Sequence, residues 1–224
     1  MRILPYGERA LLIELDTLSA TMDLYPVLDA RRIPGIHELV PAARTILVTL
    51  DPTALSLSAA ERWINSLPAS LASPTTVTTT STSTADATVP GLLTIPAYYD
   101  GDDLPEVARL MGITEDEVIA RHTGTDWHVA FIGFAPGFAY LASPDTGFDV
   151  PRRETSRPSV PAGAIGLAGE FTGIYPRSSP GGWQLIGRTT LTLWDATRQQ
   201  PALLVPGMRV RFTQAESSHA ELAT

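Results

Sequence analysis

The sequence predicts an α+β protein in two parts, a small α+β layer followed by a β barrel or sandwich of short strands. Before residue 70, apolar residues recur with the spacings of both helices and strands. Residues 70–88 interrupt this pattern with 12 Ser or Thr among 19 residues, which suits a linker or a threonine-rich edge strand. From Trp127 onward, short apolar runs alternate with Gly and Pro, a pattern typical of all-β architectures.

The first part, residues 1–88 with the Ser/Thr-rich segment at its end, combines strands with helices. Continuous apolar runs predict strands at 10–15 and 45–50. Apolar residues at helical spacing predict helices at 22–32 and 58–67. We therefore expect a small α+β domain.

Two helices are predicted near the start of the second part. The first covers 104–111, and either Asp102 or Asp103 is placed to cap it. The second begins after Thr114, because Glu117 three residues later completes a capping-box signature.

Short strands dominate the rest of the second part, residues 89–224. Their apolar runs are bounded by Gly and Pro, which favours a barrel or a sandwich. The predicted strands are 92–96, 129–134, 164–168, 183–186, 190–194, 203–205 and 208–212.

Two absent residue types exclude whole classes of chemistry. The chain has no Cys, so it has no disulfide, thiolate nucleophile or zinc-thiolate site. It also has no Lys, since all 16 basic side chains are Arg, which excludes a Schiff-base lysine, a biotin-carrying lysine and a Walker-type phosphate loop. No histidine pattern typical of zinc enzymes is present, and the sequence gives no evidence of a metal site.

Charge and hydropathy narrow the expected partners. The net charge of −8 argues against nucleic acid as the main ligand, because phosphate recognition needs a basic face. No run approaches the roughly 18 apolar residues of a membrane span. A charged N-terminal stretch argues against a signal peptide, so we expect a cytoplasmic protein.

The segment 133–187 is the strongest candidate for a binding surface, because it holds 10 of the 17 glycines. Its first cluster, 133–141, is either a rigid loop that presents aromatic rings or a tight corner whose rings fill the barrel. Its second cluster, 160–189, contains glycine-rich turns whose N–H groups can form an anion-binding nest. The window 150–190 has five arginines and two acids, which favours carboxylate or phosphate binding unless these arginines only cover the surface.

Histidine offers one candidate for proton transfer. His122 and His128 flank Asp126 near the end of the second predicted helix. An imidazole oriented by a carboxylate can act as a general acid or base, and His122 is the stronger candidate of the two. A cation at a helix C-terminus is the alternative explanation for His122.

These segments carry a family resemblance. The runs 5–12, 95–104, 133–141 and especially 172–189 resemble the KipI family, also called allophanate hydrolase subunit 1, whose bacterial members include one of the subunits of 5-oxoprolinase. The resemblance covers nearly the whole chain. It implies an α+β fold in which a cyclophilin-like β barrel follows a small N-terminal α+β domain.

The resemblance also implies an activity and its partners. The expected reaction is the ATP-dependent opening of 5-oxoproline to glutamate, performed with a KipA-like second subunit (allophanate hydrolase subunit 2) and a LamB/YcsF-like third subunit. ATP is expected to be shared with these partners, and no metal is expected beyond Mg²⁺ that accompanies ATP. Alternatives are an inhibitor of a sensor histidine kinase and a carboxyltransferase-type part of a urea carboxylase or allophanate hydrolase system.

The expected site combines proton transfer with recognition of a small carboxylate. The chemistry of the residues assigns proton transfer to His122 and anion binding to Arg157 and Arg188. Tyr175 and Trp183 are expected to form the pocket walls. The backbone turns at Gly163, Gly181 and Gly182 are expected to contribute to anion binding.

Overall fold

The computed structural model describes residues 1–67, 91–144 and 146–216. Its contacts divide the chain into two compact units, Met1–Ala87 and Thr88–Thr224. The predicted linker at 70–88 lies outside the described residues.

The first unit packs two helices against an antiparallel sheet in the order β1-β2-β4-β3. Apolar residues of the two central strands and of both helices form most of its buried core. Burial of one face explains why apolar residues recur at helical spacing in the two helices. Its elements are β1 (Arg2–Pro5), β2 (Ala10–Glu14), α1 (Leu18–Ala30), β3 (Ile36–Pro41), β4 (Thr45–Leu50) and α2 (Leu57–Ser66).

The predicted elements of this unit are present, and the largest boundary shift is at the start of α1. Helix α1 begins four residues before the predicted start, because the Thr17 hydroxyl accepts a hydrogen bond from the backbone N–H of Ala20 and caps it. Strands β1 and β3 were not predicted. Both are edge strands that end at a proline, so their apolar runs are short.

The second unit is built on a seven-stranded sheet in the order β12-β9-β10-β7-β6-β13-β5, with a separate β8-β11 pair. Its elements are β5 (Leu92–Ala97), α3 (Leu104–Met111), α4 (Glu115–Gly124), β6 (Trp127–Ile132), β7 (Ala139–Ala142), β8 (Arg157–Val160), β9 (Ala164–Ala168), β10 (Phe171–Ile174), β11 (Ser179–Gly181), β12 (Gln184–Arg188) and β13 (Arg209–Gln214).

This sheet curls into a nearly closed barrel. Tyr98, directly after the edge strand β5, pairs with Arg188 at the end of the opposite edge strand β12. Their backbones exchange two hydrogen bonds of 2.8 Å each. This pairing joins the two ends of the sheet, and the predicted α+β class with a barrel-like second part is confirmed.

The helices of this unit follow their capping signals. Both bonds of the predicted capping box between Thr114 and Glu117 are present at the start of α4. Asp103 is the N-cap residue of α3, but its side chain makes no capping hydrogen bond. None of the helices in the described ranges is long and apolar enough to cross a membrane.

Two predicted strands are wrong. Residues 190–194 and 203–205 form irregular chain, held together by one bridge between Trp194 and Ala202 and by the bond from Leu203 N to Leu193 O. Prolines at 201 and 206 limit the donors available for a ladder there.

Candidate anion-binding site

The loop that follows β5 runs along the edge strand β12 and forms one wall of the site. The N–H of Gly101 donates to Ile186 O at 3.3 Å, and the N–H of Asp103 donates to Leu185 O at 2.9 Å. The loop is therefore fixed to the strand that ends at Arg188.

Two glycines make this close approach possible. A Cβ on Gly101 would overlap the backbone of Ile186 and Gly187, and a Cβ on Gly187 would overlap the carbonyl group of Tyr98. Any side chain at these positions would push the loop from the strand, because backbone atoms cannot move aside cheaply.

A cavity of about 200 Å³ lies beside this loop and contains both predicted anion-binding arginines. Two aspartates and several small residues also line the cavity. The lining residues are Asp100, Gly101, Asp102, Arg157, Ser159, Pro161, Ala164, Leu185, Gly187 and Arg188.

Arg157 is held by a buried carboxylate. Its Nη2 donates to Asp103 Oδ1 at 2.9 Å, and Nη1 of Arg153 donates to the same oxygen at 2.5 Å. The other carboxylate oxygen, Oδ2, accepts the N–H of Leu185 at 2.7 Å. Within the described residues, the buried Nη1 of Arg157 has no hydrogen-bond partner.

Electrostatics keep this pair ionised. Burial raises the pKa of Asp103, but hydrogen bonds from Arg157 and from the Leu185 N–H, together with the two nearby arginine charges, outweigh burial and lower the pKa below its usual value. The hydrogen bond to Asp103 in turn raises the pKa of Arg157. The carboxylate and the guanidinium are both charged at neutral pH.

Arg188 is anchored less deeply. Its Nε donates to Asp100 Oδ2 at 2.9 Å, and its guanidinium carbon lies 4.7 Å from the centre of the Tyr98 ring. Half of the side chain is exposed. Only Nε is used by Asp100, so the terminal amino groups of this fork are not engaged by that carboxylate.

A third acid, Asp102, lies at the rim of the cavity. Its side chain is 84% exposed, and its Oδ2 is 4.0 Å from Arg157 Nη2. The cavity thus presents two guanidinium groups beside two exposed carboxylates, a combination suited to a small ligand with an anionic group and a hydrogen-bond donor.

The predicted pocket walls lie elsewhere. Tyr175 and Trp183 are almost fully buried in an aromatic cluster with Phe138 and do not line the cavity. Phe134, in the same cluster region, is 61% exposed and has a φ of 65°. The 133–141 segment therefore combines the two predicted arrangements. The Phe134 ring faces solvent, and the Phe138 ring fills a buried hydrophobic cluster.

The predicted glycines support the strands around the cavity. Gly181 pairs with Arg157 across β11 and β8, and a Cβ there would overlap the Tyr175 ring. Gly182 accepts a hydrogen bond from Arg153 N at 2.8 Å. Gly163 has a φ of 82°, and its N–H already donates to Tyr175 O at 2.7 Å. That N–H is therefore occupied, and Gly163 serves close packing.

His122 lies in the core of the second unit, away from the cavity lining. Its Nδ1 is 2.8 Å from the Tyr99 hydroxyl and its Nε2 is 2.9 Å from the Thr172 hydroxyl. The residue is fully buried, and burial lowers its pKa to about 3. A neutral imidazole with both nitrogens occupied has no route to exchange a proton with a ligand, so we assign it no place in the proposed site.

The acids of the loop are the functional candidates that sequence reasoning missed. Asp102 and Asp103 were considered only as helix caps, although the run 100–103 contains three acids and one Gly. Three acids beside a glycine at the end of a strand are a usable signal for a turn. Among the described residues, no group of three or more His, Asp or Glu is arranged to hold a metal ion.

The family follows from comparison with known proteins. Residues 1–204 match the carboxyltransferase domain family, subdomains C and D. The chain belongs to this family, and the resemblance seen in the sequence is confirmed.

One relative of similar length is a 5-oxoprolinase subunit of Escherichia coli O157:H7. The two are 37% identical over 222 residues, which is 92% of each protein.

Solved structures show the same fold. The TTHA0988 crystal structure matches 93% of this chain with a TM-score of 0.72 and 34% identity, but this chain spans only 40% of that longer protein. The K. lactis urea amidolyase structure matches 95% of this chain with a TM-score of 0.67 and 18% identity, and this chain spans 15% of it. At that identity the second likeness concerns the fold alone.

Proposed function

We propose that this chain is a subunit of an ATP-dependent 5-oxoprolinase complex, which opens 5-oxoproline to glutamate. The observation that carries the proposal is the 37% identity to a 5-oxoprolinase subunit across 92% of both proteins. The expected partners are a KipA-like subunit and a LamB/YcsF-like subunit, and this chain is expected to be inactive alone.

The cavity supports a role in substrate binding. The substrate, 5-oxoproline, has one carboxylate and one lactam N–H. Arg157 has a buried Nη1 without a partner among the described residues, and Arg188 also lines the cavity. These guanidinium groups hold the carboxylate of the substrate, since Arg binds carboxylates with charge-assisted hydrogen bonds. The exposed carboxylate of Asp100, which also lines the cavity, can accept the lactam N–H.

ATP is expected to contact this chain only in part. A volume of about 200 Å³ is below the range of roughly 300–1,000 Å³ typical of drug-sized ligands, so the cavity suits a small acid better than a nucleotide. ATP would supply phosphoryl transfer to the lactam oxygen and so activate the ring for opening. Without any lysine, this chain would offer only arginines and backbone N–H groups to phosphates.

The experiment is reconstitution. Glutamate and ADP are measured with 5-oxoproline and ATP for this chain alone, with the second subunit, and with both partners at equal concentrations. The proposal predicts glutamate only in the full mixture. Absence of glutamate from a verified three-part assembly would overturn it.

A carboxyltransferase role is the second candidate, because the matching family is named for that reaction. Such a role needs a biotin carrier on another protein, since this chain has no lysine to carry biotin. Copurification with a biotinylated protein, together with carboxyl transfer from carboxybiotin, would favour this candidate over the first.

A further inference from the structure

Asp103 carries a buried charge that its helix does not need. It precedes α3 as the N-cap residue, yet its side chain makes no hydrogen bond to that helix. The side chain is only 4% exposed. A buried carboxylate is costly unless it is paired and hydrogen-bonded, so its position calls for an explanation outside the helix.

The partners of Asp103 supply that explanation. Oδ1 accepts from Arg157 and Arg153, and Oδ2 accepts from the N–H of Leu185. Leu185 belongs to β12, the strand that ends at Arg188, whereas Arg157 begins β8. One carboxylate therefore connects three segments of the cavity wall that are far apart in sequence.

The bonds fix one edge of the Arg157 fork and leave another edge unused. Nη2 is engaged by Asp103, while Nη1 has no partner within the described residues. The Arg157 side chain is 18% exposed, so the packed surroundings further limit its rotation. An arginine held in this way loses less rotamer freedom when it binds an acceptor.

We propose that Asp103 is a positioning residue of this cavity, which holds the Arg157 guanidinium in the orientation that binds the carboxylate of the substrate. The proposal rests on the proposed function for the identity of that substrate. The proposal goes beyond that function because it assigns part of the substrate affinity to Asp103, which does not line the cavity.

Three substitutions separate positioning from charge. Asp103→Ser removes the carboxylate but supplies a favoured helix N-cap, so it preserves α3 better than Asp103→Ala. Asp102→Asn removes an equal charge near the same Nη2, but from an exposed side chain. Glu106→Gln changes a surface acid of α3 that pairs with Arg109, and it is the control for activity of the assembled complex.

The first test measures the KM for 5-oxoproline, the KM for ATP and kcat in the assembled complex. We expect Asp103→Ser to raise the KM for 5-oxoproline about tenfold while the KM for ATP and kcat change less than twofold, as for a loss of charge-assisted binding worth about 1.4 kcal/mol. Asp102→Asn should raise the KM for 5-oxoproline less than threefold, and Glu106→Gln should leave it unchanged. An equal rise for Asp102→Asn and Asp103→Ser would overturn positioning in favour of general electrostatics.

A double-mutant cycle tests whether Asp103 acts through Arg157. In the Arg157→Ala background, Asp103→Ser should raise the KM for 5-oxoproline by less than twofold, because its target is gone. Multiplicative effects of the two substitutions would overturn the proposal.

A chemical measurement keeps this inference separate from the proposed function. Phenylglyoxal modifies accessible arginines, and mass spectrometry of the full chain gives the modification rate of each. Asp103→Ser should speed modification of Arg157 severalfold and leave Arg188 unchanged. Faster modification of Arg157 with no glutamate from the wild-type complex would reject the proposed function alone, whereas unchanged modification would reject the positioning role.

Discussion

Asp103 and His122 are both buried polar residues of the second unit, but their surroundings favour opposite charge states. The ring nitrogens of His122 contact only neutral hydroxyls, and burial lowers its pKa to about 3, so it is neutral at pH 7. Asp103 is bonded by two guanidinium groups and a backbone N–H and remains charged. We therefore expect His122 to matter for stability, whereas the binding role proposed for Asp103 depends on its bond to Arg157, which lines the cavity.

The largest expected effect is a loss of stability on substitution of His122. His122→Ala removes a fully buried ring that packs 4.3 Å from the Phe212 ring centre and leaves two hydroxyls without their partner. We expect a loss of about 3 kcal/mol in unfolding free energy, measured by urea denaturation. His128→Ala, at a half-buried histidine, should cost less than about 0.5 kcal/mol. Equal losses would show that His122 has no special structural role.

Arg157→Ala should have the next largest effect, on binding. Loss of a guanidinium that donates charge-assisted bonds costs about 2 kcal/mol, so the KM for 5-oxoproline in the assembled complex should rise about thirtyfold. Arg177→Ala is the matched control, because Arg177 is exposed and does not line the cavity. A KM within twofold of wild type for Arg157→Ala would remove Arg157 from the site.

Low pH should lower the stability of the protein, because His122 is neutral in the folded state. Unfolded chains take up a proton on His122 below about pH 6.5, while the folded protein does not until about pH 3. The unfolded state binds more protons in this window, so stability falls as pH drops, by up to about 1.4 kcal/mol per pH unit.

The measurement is the unfolding free energy from urea titrations between pH 7 and 4.5. His122→Gln removes the titrating group and should flatten this dependence relative to wild type. A variant whose stability falls as steeply as that of wild type would locate the acid sensitivity in another group.

Arg188→Ala should produce the smallest of these effects. Half of its side chain is exposed, and solvent weakens its ion pair with Asp100. We expect a rise of about fivefold in the KM for 5-oxoproline, near 1 kcal/mol. A larger rise in KM than that of Arg157→Ala would show that Arg188 contributes more to substrate binding than Arg157.

Local signals in the sequence were enough for the helices and for most of the apolar strands. The capping box at Thr114 and Glu117 located α4, and the apolar runs located β4 and β9. Strands β7 and β10 were missed because they lie in glycine-rich and aromatic segments interpreted as loops and turns. Gly173 of β10 allows close packing against Ala139 of β7 rather than a turn, and local sequence does not distinguish the two uses.

The site was only partly predictable for a different reason. Arg157 and Arg188 stood out as cations within a basic window of an acidic chain, and both line the cavity. The role of Asp103 depends on Leu185, 82 residues away, and on two arginines at least 50 residues away. Such partners become neighbours only when the barrel closes, so no spacing rule in the sequence reveals them.

The most direct test compares two substrates that differ by one group. The assembled complex is assayed with 5-oxoproline and with 2-pyrrolidone, which has the same lactam but no carboxylate, in wild type and in Arg157→Ala. If Arg157 binds the carboxylate, the substitution lowers kcat/KM for 5-oxoproline about thirtyfold and leaves kcat/KM for 2-pyrrolidone unchanged. An equal loss for both substrates would contradict carboxylate binding in this cavity.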